Sequence, residues 1–111
     1  MQHIKITEKP WGREELLVSA PYVAKRITVN EGHRISLQYH EKKHETWYFL
    51  EGYGVMLVGD IMSNYVPGSM EVIAPGVVHR ITAVAGRTVL LEVSTMELDD
   101  VVRLEDDYGR V

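Results

Sequence analysis

The chain has 111 residues, a formal net charge of -4 at pH 7 and no cysteine. This length supports one hydrophobic core, and the acidic balance argues against nucleic acid as the main partner, because phosphate binding needs a basic surface. The lack of cysteine excludes disulfides, thiolate metal ligands and cysteine nucleophiles, and it is compatible with a reducing compartment. No apolar run approaches the roughly 20 residues of a membrane helix, so we expect one soluble domain, 1–111, in the cytoplasm without a membrane partner.

Short runs rich in β-branched and aromatic residues follow one another, each closed by glycine, proline, asparagine or aspartate. The predicted strands are, in chain order, 22–30 (YVAKRITVN), 34–40 (RISLQYH), 46–52 (TWYFLEG), 53–60 (YGVMLVGD), 69–76 (SMEVIAPG), 77–86 (VVHRITAVAG) and 87–95 (RTVLLEVST). Turn signals about every eight to twelve residues indicate an all-β sandwich or barrel. We predict a core of about 22–95, an N-terminal arm 1–21 and a C-terminal tail 96–111 that forms either a short helix or a strand and a turn.

The second predicted strand and its surroundings bring metal-ligating residue types together. Side chains alternate along a strand, so Arg34, Gln38 and His40 are predicted to share one face. A hairpin through EKKH returns Glu45 to the side of His40, and His79 follows a turn at the start of a later strand. Two imidazoles, a carboxylate and an amide form a possible site for Zn, Mn, Fe, Co or Ni. Each residue also has a plain alternative as a surface or hydrogen-bonding group.

The spacing of these residues resembles the two motifs of the cupin superfamily. The first motif is matched from Gly32 to Gly52, with Gln38 in place of its first histidine. The second is matched from Gly68 to His79, with alanine where its proline is usual. The resemblance implies an all-β cupin double-stranded β-helix, or jelly-roll barrel, that holds a divalent metal ion through Gln38, His40, Glu45 and His79.

Further motifs resemble the cupin domain of type II mannose-6-phosphate isomerases, which usually forms the C-terminal part of bifunctional enzymes with a mannose-1-phosphate guanylyltransferase domain. They are KPWG (9–12), ISLQYH (35–40), ETW (45–47) and LDDVVRLEDDYGR (98–110). The resemblance implies metal-dependent interconversion of mannose 6-phosphate and fructose 6-phosphate through an enediol. The family's HHHR is HEKK here, Thr46 replaces a histidine, and the segment before DDVVR is shorter. The last two departures flank the site and bear on the substrate more than on the fold.

Three cationic residues are candidates for substrate binding or catalysis. Lys25 shares strand parity with the apolar Val23 and Ile27, so it could bind substrate oxygen or shuttle protons, unless a bulge turns it outward. Arg34, on the predicted ligand face, is a candidate phosphate clamp. Arg110 matches a family arginine and could close over the site, although a terminal surface charge is the alternative.

Other charged residues receive weaker roles. Lys43 is predicted to be a solvated hairpin lysine, and Arg80 should point away from the metal site. The proton-transfer base stays unassigned between Glu92 and Lys25, because Glu45 is expected to hold the metal.

The opposite face of the second predicted strand carries Ile35, Leu37 and Tyr39, which suggests a homodimer formed by sheet packing. Two alternatives to the isomerase stay open. One is an Fe(II) cupin dioxygenase, and the other is a non-catalytic sugar- or metal-binding cupin.

Overall fold

The computed structural model describes residues 5–97 and 99–111. Its strands are β1 (Lys5–Lys9), β2 (Gly12–Val18), β3 (Val23–Val29), β4 (Leu37–His40), β5 (Glu45–Val58), β6 (Ile61–Tyr65), β7 (Met70–Ile73), β8 (His79–Ser94) and β9 (Val101–Glu105). The described ranges contain no helix, and therefore none with the length and apolarity needed to cross a membrane. The predicted all-β class is confirmed.

The two longest strands, β5 and β8, pair with each other and organise a single antiparallel sheet. The sheet runs β1-β2-β3-β8-β4-β9, and β5 pairs with β6, β7 and β8. It curls around a core of large side chains. The most deeply buried are Trp47, Phe49, Tyr65, Ile73, Ile81 and Leu90. Phe49 of β5 stacks on Tyr65 of β6 with ring centroids 4.1 Å apart, and this aromatic pair fills part of the barrel interior.

The predicted strand breaks at Gly52 and Gly86 are wrong, because β5 and β8 each continue through their glycine. A Cβ added to Gly52 would lie 2.3 Å from the carbonyl oxygen of Arg87. Pairing between β5 and β8 also shifts register around this point, between Phe49 and Gly54. Glycine here permits a close approach of two backbones at an irregularity. The chain bends at this point without ending the strand.

Both segments outside the predicted core contribute strands to the same sheet. The arm forms β1 and β2, and β2 pairs with β3. The tail adopts the strand-and-turn alternative, because β9 pairs with β4 and a turn follows. Residues 1–4 of the arm and Leu98, which opens the tail motif, lie outside the described residues. The wall of the barrel therefore extends beyond the stretch 22–95.

The predicted alternation holds for Gln38 and His40, which both line an inner cavity, but it is wrong at Arg34 and Ile35. Ile35 was expected on the outer face, but it is 8% exposed and belongs to the core. Regular β4 begins only at Leu37, and its pairing with β9 shifts register between Leu37 and Gln38. An irregular stretch of backbone thus reverses the side-chain order before the strand starts. A homodimer through this face stays a prediction, without Ile35 among its contacts.

Candidate metal centre

His40, Glu45 and His79 form a buried group of potential metal ligands. They lie at the end of β4, the start of β5 and the start of β8, respectively. The Nε2 atom of His79 is 3.1 Å from Oε1 of Glu45, and the Nε2 atom of His40 is 3.6 Å from Oε2. One ligand atom from each residue lies within 4.8 Å of the others. Three strand ends thus deliver two nitrogens and a carboxylate to one point.

Each histidine is oriented by a partner outside the group. Nδ1–H of His79 donates to the Val77 carbonyl oxygen at 2.9 Å, and Nδ1–H of His40 donates to Oδ1 of Asp100 at 3.2 Å. This leaves Nε2 of both rings facing the centre, as in metal-binding histidines generally. Burial lowers the pKa of His40 to about 4 and also lowers the pKa of His79. Both rings are therefore neutral at pH 7 and offer lone pairs.

The carboxylate of Glu45 lacks the partners that such a buried group needs. Both of its oxygens are buried, and neither has a hydrogen-bond partner within the described residues. Burial and the neighbouring Glu92 raise the pKa of Glu45 well above its usual range. A divalent cation would add to the positive charge of Lys43, whose Nζ lies 3.5 Å from Oε2, and would displace the proton. The donor set of two imidazoles and one carboxylate fits a transition-metal ion.

Gln38, the fourth predicted ligand, lies beside the group with its amide nitrogen nearest to it. Its Nε2 is 3.4 Å from Nε2 of His79, while its Oε1 accepts a 2.6 Å hydrogen bond from the Ser36 hydroxyl. Coordination through oxygen would require a half-turn of the amide. The ligand role of Gln38 stays a prediction.

The prediction that Lys43 is a solvated hairpin lysine is wrong. It is 4% exposed, and its Nζ lies 3.5 Å from Oε2 of Glu45 and 4.0 Å from Oε2 of Glu92. Burial opposes charge on both Lys43 and Glu92, but their attraction outweighs it, so the pKa of the lysine is raised and that of Glu92 is lowered. Strand alternation could not have found Lys43, because it precedes β5, which begins at Glu45.

A cavity of about 300 Å³ adjoins the centre at His40. Its other lining residues are Lys9, Trp11, Glu14, Lys25, Ile27, Ile35, Gln38, Lys43, Ile81, Asp99, Val101, Arg103 and Arg110. Lys25 points inward, 3.5 Å from Oε2 of Glu14. Arg110 also reaches the cavity, where Asp106 accepts hydrogen bonds from its Nε at 2.9 Å and its terminal nitrogen at 2.8 Å. Two of the three predicted cationic residues therefore meet here.

Arg34 is the exception, since the structure does not bring it to the cavity. Its guanidinium donates two 2.7 Å hydrogen bonds to Asp107, and its side chain is 40% exposed. The broken alternation at Ile35 accounts for the difference. Arg80 points away from the centre, as expected, and donates from Nε to the Ile35 carbonyl oxygen at 2.9 Å.

Comparison with known proteins places this geometry in a family. Residues 1–106 match the family model "Mannose-6-phosphate isomerase C-terminal". The Salmonella typhimurium "Mannose-1-phosphate guanylyltransferase ManC" is 35% identical over 116 residues, covering 93% of this chain and 22% of that protein. The Xanthomonas campestris pv. campestris "Xanthan biosynthesis protein XanB" is 34% identical over 107 residues, covering 92% and 23%.

The chain thus spans less than a quarter of the length of these relatives. Among solved structures, a cupin 2 conserved barrel domain protein from Rhodopseudomonas palustris superposes with a TM-score of 0.78 at 20% identity, covering 90% of this chain and 77% of that one. This likeness confirms the cupin barrel. The chain belongs to the mannose-6-phosphate isomerase C-terminal family.

Proposed function

We propose that this protein is a metal-dependent aldose-ketose isomerase that interconverts mannose 6-phosphate and fructose 6-phosphate. The observation that carries the proposal is the buried Glu45 carboxylate, which lies between two neutral imidazoles without a hydrogen-bond partner in the described residues and is next to a cavity lined by cations. The family match supports the substrate. The relatives are four times longer, so activity of this stretch alone is part of the proposal.

The reaction moves the proton on C2 of the open-chain sugar to C1 and the O2 hydroxyl proton to O1, and it changes no net oxidation level. Polarisation of the sugar carbonyl is what a divalent cation held by His40, Glu45 and His79 would contribute. Lys25 offers an ammonium group to a substrate oxygen, and Glu14, 3.5 Å from it, offers a carboxylate for proton transfer. Glu92 is not among the cavity-lining residues, so we place the proton carrier on the Glu14–Lys25 pair.

The test is turnover of mannose 6-phosphate to fructose 6-phosphate by EDTA-treated protein, with Zn, Mn, Co, Ni or Fe restored one at a time. We expect turnover only with added metal, and none in a His40→Ala, His79→Ala double variant. Full activity in that double variant, or no turnover with any ion despite stoichiometric metal binding, would reject the isomerase.

One feature favours a second candidate. The group presents three protein ligands while the oxygen of Gln38 is turned away, and two histidines with one carboxylate are the set used by Fe(II) oxygenases. Oxygen consumption by the iron-loaded protein in the presence of a sugar substrate, without isomerisation, would favour a dioxygenase. Metal and sugar binding without either reaction would favour a binding role.

A further inference from the structure

Five cationic side chains and two carboxylates, those of Glu14 and Asp99, line the cavity. Lys9 and Lys25 share a single partner, Glu14, whose Oε2 lies 4.0 Å and 3.5 Å from their respective ammonium nitrogens. Arg110 pairs with Asp106. Lys43 of the metal centre lies beside Glu45 and Glu92. Each of these four cations therefore has an acidic neighbour, and Lys9 and Lys25 share the same one.

Arg103, on β9, is the remaining cation. It takes part in none of the ion pairs among the described residues, and its Nε is buried without a hydrogen-bond partner there. A guanidinium cannot escape this situation by losing its proton. A buried, unpaired donor of this kind is costly, so its presence in a cavity wall points to a ligand that completes it.

Strand register fixes where Arg103 stands relative to the metal centre. Gln38 pairs with His79 of β8 on one side and with Arg103 of β9 on the other. The three residues therefore lie abreast on neighbouring strands, and residues directly opposite each other project from the same face of a sheet. With about 4.8 Å between strands, the backbones of His79 and Arg103 are roughly 10 Å apart. Arg103 thus occupies the same wall as a metal ligand, two strands away.

We infer that Arg103 binds the phosphate group of the substrate, a phosphate monoester whose other end reaches His40, Glu45 and His79. The planar guanidinium can give two parallel hydrogen bonds to phosphate oxygens, and the imbalance at Lys9 and Lys25 attracts the remaining charge. This inference rests on the proposed function and gives Arg103 the role that the sequence suggested for Arg34. An uncharged hexose would leave Arg103 unpaired, so the same residue discriminates against it.

The experiment compares Arg103→Gln with Arg87→Gln. Arg87 is the matched control because it is an arginine with a 66% exposed side chain, paired to Glu51 on the outside of the barrel. Binding of inorganic phosphate is measured by calorimetry on EDTA-treated protein, so that no metal competes for the anion. The KM and kcat for mannose 6-phosphate are measured on metal-loaded protein. Metal stoichiometry of each variant serves as the check on folding.

We expect Arg103→Gln to weaken phosphate binding and raise KM by about 10- to 100-fold, the loss typical of hydrogen bonds to a charged group. The kcat should change much less, and the control should match the unsubstituted protein. Turnover with an unchanged KM and unchanged phosphate affinity in Arg103→Gln would overturn the role of Arg103 while leaving the isomerase standing. If Arg103→Gln loses phosphate binding and even the unsubstituted protein shows no turnover, the phosphate-binding role of Arg103 would be supported. Only the proposed isomerase activity would then be contradicted.

A second measurement covers the case in which Arg103→Gln does not fold. In the unsubstituted protein, the NMR signal of the Arg103 Nε–H group should shift when inorganic phosphate is added, and Arg103→Lys should keep part of the affinity. An Nε–H signal that does not respond to phosphate overturns the inference, as does the absence of any phosphate binding.

Discussion

The barrel has two recesses lined by charged residues, and they differ in how completely those charges are paired. The outer cleft, of about 790 Å³, lies over β2, β3, β5 and β8 and is larger than the inner cavity of about 300 Å³. Its arginines and glutamates form one-to-one pairs: Arg13 with Glu8, Arg26 with Glu15 and Arg87 with Glu51. In the inner cavity two lysines share a carboxylate, and within the described residues Arg103 takes part in no ion pair and the nearby Glu45 accepts no hydrogen bond.

Unsatisfied charge, rather than volume, is therefore our reason for placing the proposed function in the inner cavity. Exposed one-to-one pairs add little to stability and leave nothing for a ligand to complete. Buried groups without partners carry a cost that a bound cation or anion can offset. The charges of the outer cleft are thus balanced by protein side chains, whereas those of the inner cavity are left for a ligand to complete.

The largest expected effect is at the buried histidines, whose removal tests whether the inner cavity adjoins a metal centre. We expect His79→Ala to reduce isomerase turnover to the uncatalysed background and to abolish stoichiometric metal binding, because even changes to the outer partners of metal ligands cost about 10- to 100-fold. The matched control is His44→Ala, since His44 is exposed. Equal activity and metal content in the two variants would contradict the assignment.

Removing Lys43 should be the most damaging single change to stability. Lys43→Met leaves the buried Glu92 without its counter-charge, and breaking such a pair costs about 3–5 kcal/mol. Urea unfolding of the metal-free protein measures the loss. Adding Glu92→Gln to the same chain should recover part of it, and a further loss in the double variant would refute the pairing.

The Asp106–Arg110 pair should add a smaller, pH-dependent contribution. Hydrogen bonds from Arg110 hold the pKa of Asp106 well below its usual range. Because the folded-state pKa is below the unfolded value near 3.9, this stabilisation is present above that pH and disappears as the pH falls through the folded pKa. We expect Asp106→Asn to lower the free energy of unfolding by about 1–3 kcal/mol at pH 7.

Unfolding curves from pH 7 downward check the sign, because the difference from the unsubstituted protein should shrink below about pH 3.9. Asp60→Asn, at an exposed turn position, is the control. A difference that grows on acidification would contradict the ion pair as its source.

The outer cleft should yield the smallest effect. We expect Arg87→Gln to change the free energy of unfolding by less than about 1 kcal/mol, to lose even that in high salt, and to leave the KM for mannose 6-phosphate unchanged. A clear rise in KM would show that the larger recess contacts substrate, and the contrast between the two recesses would then fail.

Sequence reasoning recovered the features that depend on local spacing and missed those that depend on distant partners. The spacing of His40, Glu45 and His79 predicted their meeting, and alternation predicted the inward direction of Lys25. Alternation failed at Ile35, where the irregular backbone before β4 is set by pairing with strands far along the chain. The orphaned state of Arg103 is a property of the whole cavity's charge balance, which no local pattern contains.

Strand breaks at glycine failed for a related reason. Gly52 reads as a terminator in sequence, yet its lack of a side chain serves a contact with Arg87 on another strand. Whether a glycine ends a strand or lets two strands touch is decided by the neighbouring backbone. The tail was equally ambiguous, because β9 becomes a strand by pairing with β4.

Asp100 gives the tail a thermodynamic role. Its Oδ1 accepts from His40, while its Oδ2 accepts the backbone N–H groups of Lys42 and Lys43 at 2.8 Å and 3.1 Å. One carboxylate therefore connects the docked tail, the hairpin and a metal-facing imidazole. Coupling between two binding events is reciprocal. If docking of the tail raises the affinity for a metal ion by some factor, metal binding must raise the equilibrium constant for tail docking by the same factor. Metal occupancy would then set how often the C-terminal segment leaves the barrel.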